Sequence, residues 1–102
     1  ITHPESPSIG LTPEQQAWLA AQGAYFERCY AYSGSSQVID AEVRAVRSTG
    51  VERNVLSSDL GRVDAPLPDV GLALFIWEFA RRGFTEDELR RMTALTPRAL
   101  VE

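Results

Sequence analysis

The sequence is poor in the residues that most often announce a function. Of its 102 residues one is cysteine, Cys29, so no internal disulfide is available and a reduced, cytoplasmic setting is the default expectation. One is histidine, His3, so the chain does not by itself spell out a three-ligand catalytic zinc site. No apolar run approaches the roughly 18 residues needed to span a bilayer, and the N-terminus lacks the basic and apolar regions of a signal peptide; no membrane partner is expected. Ten Lys plus Arg stand against fourteen Asp plus Glu, a net charge of -4, and that balance offers no bulk basic footprint for nucleic acid. A phosphate-cradling Gly-rich loop, a zinc knuckle of paired cysteines and a Gly-x-Ser-x-Gly elbow are all missing. Their absence argues against nucleotide-binding, zinc-finger and serine-hydrolase readings. Internal repeats and low-complexity segments are missing too.

What is present is an ordinary globular composition, 44% hydrophobic, punctuated by clear helix signals. Ile1-Thr2-His3-Pro4 reads as the end of a strand, with Pro4 restricting His3 to extended geometry. Thr12-Pro13-Glu14-Gln15 is a capping box with proline at the first helical position; it starts a helix that Gly23 ends, with Trp18, Leu19 and the alanines as its apolar face. The aromatic stretch 24–32 suggests a strand, in which Glu27 and Arg28 must face opposite sides. From 37 to about 48, Ile39, Val43 and Val46 recur at helical spacing, with Asp40 and Arg44 as an i, i+4 pair on the wet side and Gly50 as the stop. A further strand is expected over 51–59. A proline-stiffened loop over 61–69 is placed where a substrate lid would sit. The helix 70–82 is apolar on nearly every side: Leu72, Phe75, Ile76 and Phe79 would face a sheet, leaving Leu74 and Trp77 for another surface to cover. Thr85-Glu86-Asp87-Glu88 is a second capping box, and the helix it opens should end near Leu95, with Thr96-Pro97 starting a last turn.

The stretch that organises this order is Asn54-Val55-Leu56-Ser57-Ser58-Asp59-Leu60-Gly61, an apolar run that ends in a carboxylate and breaks on glycine. Alternation puts Val55 and Ser57 on the side of Asp59 and turns Leu56 and Ser58 toward covering helices. Together with the proline-rich loop, the apolar helix, the Gly83–Met92 segment and the Thr96-Pro97-Arg98-Ala99-Leu100 turn, this run resembles the C-terminal end of the amidohydrolase superfamily, and most of all its small amidohydrolase-like barrel proteins. The closing turn matches loosely, with Thr96 where the family carries Asn. The resemblance implies an α/β chain forming the C-terminal part of a (β/α)8 barrel with parallel strands: about three βα units plus terminal helices, residues 1–102 being one segment of a single barrel domain. A whole barrel takes about 250 residues, so the expectation is a portion of a longer protein, inactive when isolated.

The resemblance also implies that Asp59 binds a divalent metal and handles the proton of the attacking water, and that His3 is a second ligand, the remaining ligands lying in chain beyond this sequence. The metal would be zinc, or manganese or another divalent ion. Glu27, Ser57 and Arg62 are candidates for supporting the ligands or touching substrate. Cys29 reads as a small buried hydrophobe. Two functions are therefore carried forward. One is a metal-dependent hydrolase acting on an amide, ester or lactone-type bond of a small molecule, or performing a related decarboxylation. The other is a non-catalytic α/β module that binds a protein partner through its apolar helix. For either, association with the rest of a barrel, another chain or a second copy is expected.

Overall fold

The computed structural model describes residues 1–6, 9–30, 35–59 and 68–101. The helix starts lie where local hydrogen bonding puts them. α1, Pro13–Ala21, opens on the Thr12 capping box, in which the Thr12 hydroxyl accepts from the Gln15 backbone and the Gln15 side chain accepts from the Thr12 backbone. β1, Phe26–Cys29, runs parallel to β2, Asn54–Ser57, with Phe26 opposite Asn54 and Cys29 opposite Ser57. Between them α2, Ser36–Thr49, is capped by the Ser35 hydroxyl. Gly50, at φ 104°, ends α2 in a conformation that costs glycine little. α3, Pro68–Ala80, precedes α4, Glu86–Arg90, which opens on the Thr85 capping box. The chain then passes without a break through a π turn, Arg91–Leu95, into α5, Thr96–Val101. The widened turn has a local cause: Pro97 has no N–H to donate into an ordinary helical ladder, and the Thr96 N–H bonds back to Arg91.

The barrel expectation is overturned. Among the described residues the sheet has two strands, and the N-terminal segment adds one parallel bridge, Thr2 with Glu27. About three βα units of a (β/α)8 barrel are not formed. The supposed first strand turns away at once, because Ser6 donates to the His3 carbonyl and closes a turn with Pro4 inside it. The second is four residues long, and Val51–Arg53 coils into a 3-10 turn before β2 begins. The apolar residues bury mainly helix against helix. Ile39 and Val46 of α2, Phe75 and Phe79 of α3, Phe84, Leu89 and Met92 close on Leu56 of β2. Phe79 stacks edge-on to Phe75 at 5.1 Å and tilts against Phe84 at the same centroid distance.

Two smaller expectations also change, while Asp40, whose pKa is lowered by Arg82 first and by Arg44 as well, gains in Arg82 a second cation at 2.7 Å. Trp18 is 62% exposed, and α1 instead buries Gln16 and Ala20, because the Gln16 amide is recruited into a polar core. His3, before Pro4, has φ 52° rather than extended geometry. On α3, Phe75 and Phe79 are buried while Leu74 and Trp77 are exposed. No helix among the described residues is long and apolar enough to cross a membrane.

Candidate metal centre

The three parallel segments end side by side, and each delivers one chemically able side chain at or just past its last pairing. His3 follows the Thr2 bridge, Cys29 closes β1, and Asp59 stands two residues beyond the end of β2. His3 and Asp59 both take positive φ, 52° and 48°, and among the described residues they are the non-glycine residues that do so. That conformation is unfavourable for a residue with a Cβ, though Asp tolerates it, and backbone strain of this kind collects at functional sites. His3 Nε2 lies 3.1 Å from Asp59 Oδ2. Donor atoms of His3, Cys29 and Asp59 all lie within 4.8 Å of one another.

Beneath this cluster runs a line of hydroxyls and a carboxylate. Glu27 accepts from Thr2 Oγ1 at 3.0 Å through Oε1 and from Ser57 Oγ at 3.1 Å through Oε2. Ser57 Oγ is also 3.2 Å from Cys29 Sγ. Burial pushes the Cys29 thiol up to about 11; Ser57 pulls the other way, and Glu27, Asp59 and Glu42 add to the rise. At neutral pH the thiol is therefore protonated, which makes it a poor nucleophile, whereas a coordinated metal would displace that proton.

The donor set fits a divalent ion of zinc type. Bonds of about 2.0–2.3 Å in a tetrahedral arrangement put donor atoms roughly 3.3–3.8 Å apart, so closure from the present spacing needs only small side-chain rotations. Imidazole, thiolate and carboxylate together are borderline-soft, the character that suits zinc better than magnesium or calcium. Three protein ligands leave a fourth position open, as in catalytic rather than structural sites. Asp59 is about half exposed, at 53% of its side chain, and His3 much less, at 18%.

A cavity of about 350 Å³ opens beside the cluster, with His3 and Cys29 at one end. Its charged wall is Arg28, Glu5 and Glu42. The Arg28 guanidinium is fully buried, donating to Asn54 Oδ1 at 3.0 Å and Gln16 Oε1 at 2.9 Å and pairing with Glu5. Burial lowers its pKa, against the pull of Glu5 and Glu42.

His3 and Asp59 are thus brought together, and Glu27 and Ser57 lie directly behind Cys29. Arg62 and the expected lid over 61–69 fall almost wholly outside the described residues. Cys29 itself, and the Arg28 wall, are what reading the sequence missed. The available signal was positional: Cys29 ends β1 as His3 and Asp59 follow their own segments, but a strand read past Cys29 hides that equivalence. Comparisons with protein-family models, curated proteins and solved structures find no match.

Proposed function

We propose that this chain carries a metal-dependent hydrolytic centre in which His3, Cys29 and Asp59 hold a divalent ion, zinc by preference, for cleavage of an amide, ester or lactone-type bond in a small molecule. The convergence of three donors at the ends of three parallel segments supports it above all. The resemblance to amidohydrolases enters through Asp59 alone, since the barrel is not formed. A bound divalent ion supplies Lewis acidity and makes hydroxide available near neutral pH. The chain's own residues do the rest. Glu27, through Ser57, orients Cys29, and the half-exposed Asp59 carboxylate accepts the proton of the attacking water. A cytoplasmic location belongs to the same proposal, since it would keep Cys29 reduced.

The test is metal content and turnover. Protein purified without chelators should retain one zinc or manganese per chain, and Asp59→Asn should weaken retention about 10-fold or more and abolish hydrolysis. A native chain that binds neither metal at micromolar concentrations would remove the hydrolase reading. The second reading, a module that binds a protein partner or a second copy, is supported by Trp77 and Leu74 on α3, 58% and 41% exposed. It predicts association in sedimentation that Trp77→Glu suppresses, in a protein that is metal-free and inert.

A further inference from the structure

We propose that two copies of this chain pair through α3, antiparallel about a two-fold axis beside Leu74. The proposal rests on the second reading only for the exposed face of α3; it names the occupant and fixes the register. Val70, Ala73, Leu74, Trp77 and Ala80 are all exposed and fall at helical spacing on the side of α3 away from the buried Phe75 and Phe79. The stripe is apolar along its length, and its ends carry opposite charge. Asp69 stands in the first turn, and Arg81, still bonded through its N–H to the Trp77 carbonyl, follows the last; both are exposed. Such a stripe is its own complement when a second helix is laid against it in reverse. Asp69 and Arg81 stand six residues either side of Phe75, Val70 and Ala80 five, and Ala73 and Trp77 two. Reversal about that level sets Asp69 of one copy level with Arg81 of the other, Val70 against Ala80, and the Trp77 ring against the gap at Ala73. A parallel pairing would instead set like charges together at both ends. Arg81 lies 5.3 Å over the Trp77 ring, at the rim of the stripe. Its contact with Glu78 is 3.3 Å, whereas Arg82 holds Glu78 at 2.6 Å, so turning Arg81 toward Asp69 of the other copy leaves Glu78 paired. A second copy supplies this complement by symmetry, which selects it over a foreign protein.

The experiment is sedimentation of the full chain, with disulfide trapping to read the register. At about 100 µM the chain should be largely dimeric, with a dissociation constant on the order of 10 µM, because one helix face is smaller than a standard interface. Trp77→Glu should be monomeric with an unchanged circular dichroism spectrum, since Trp77 is exposed. Ala73→Trp adds apolar surface but fills the gap that receives Trp77, and it should weaken the dimer about 10-fold. Asp69→Arg and Arg81→Asp should each weaken it about 5-fold, and an equimolar mixture of the two should recover dimers, each offering the charge the other lacks. Leu74→Cys, beside the axis, should form a linked dimer under mild oxidation. Asp69→Cys should not, because reversal holds its two copies about 18 Å apart, beyond the reach of a disulfide. A chain that is monomeric at about 500 µM or grows past the dimer, an Ala73→Trp variant that associates more tightly, or equal linking through positions 74 and 69 would overturn the proposal. Zinc content read on the same samples keeps the readings apart. A dimer that holds zinc supports this proposal and removes the inert module; a monomer that holds zinc sinks the proposal and spares the hydrolytic centre.

Discussion

His3 Nε2 and Asp59 Oδ2 meet at 3.1 Å across the end of β1, each carried by a segment that flanks that strand. The pairing is possible only because the segments are parallel, so that their C-terminal ends lie on one side of the sheet. Cys29, last residue of the middle segment, completes the group.

The buried thiol should be chemically quiet. With its pKa near 11, Cys29 in metal-free folded protein should react with iodoacetamide about 100-fold more slowly at pH 7.5 than a free thiol, the rate climbing about 10-fold per pH unit. Mass spectrometry of timed samples reads this directly. Rapid, pH-independent alkylation of the folded chain would show the cluster to be open.

Arg28 should matter for stability more than for charge. Arg28→Ala strands Glu5 and leaves Gln16 and Asn54 with unmet acceptors in the interior, a loss of about 3–5 kcal/mol. Urea denaturation measures it. A change under about 1 kcal/mol would mean that the network is solvated.

Acid should loosen the α2–α3 junction. Arg82 donates to Asp40 at 2.7 Å, to Glu78 Oε2 at 2.6 Å and to Ser36 at 3.0 Å. It holds both carboxyls below their ordinary values of 3.8 and 4.5, chiefly by hydrogen bonding. Folded-state values below the unfolded ones mean stabilisation that is present above about pH 4.5 and lost as pH falls through the depressed values. Melting temperatures from pH 7 to pH 2.5 should therefore drop less steeply for Arg82→Met than for the native chain. Parallel curves would disprove the linkage.

Much of the local structure was readable. Thr12 with Gln15 and Thr85 with Glu88 close rings of three residues, so spacing alone locates both helix starts, and both capping boxes form. Phe75, Phe79, Leu74 and Trp77 fall on the sides their helical spacing demands. Asp59 and His3 were readable through resemblance to a family whose barrel this chain does not build. The errors share a cause. Trp18 as a core residue and Tyr30 as strand were each inferred from near neighbours, and each was decided by a distant contact: Arg28 with Gln16, and the short pairing of β1 with β2.

By itself the sequence determined where helices begin, which of their faces are apolar, and that one histidine and one cysteine are all the imidazole and thiol ligands the chain can offer. Those properties depend on covalent identity and on hydrogen bonds spanning three or four residues. Only the tertiary structure decided that His3, Cys29 and Asp59 share one rim, and that Arg28 and Glu42 wall the cavity beside it. Contacts between residues so far apart in the chain follow from strand register and from the close packing of Phe75, Phe79 and Met92 around Leu56, which no local pattern encodes.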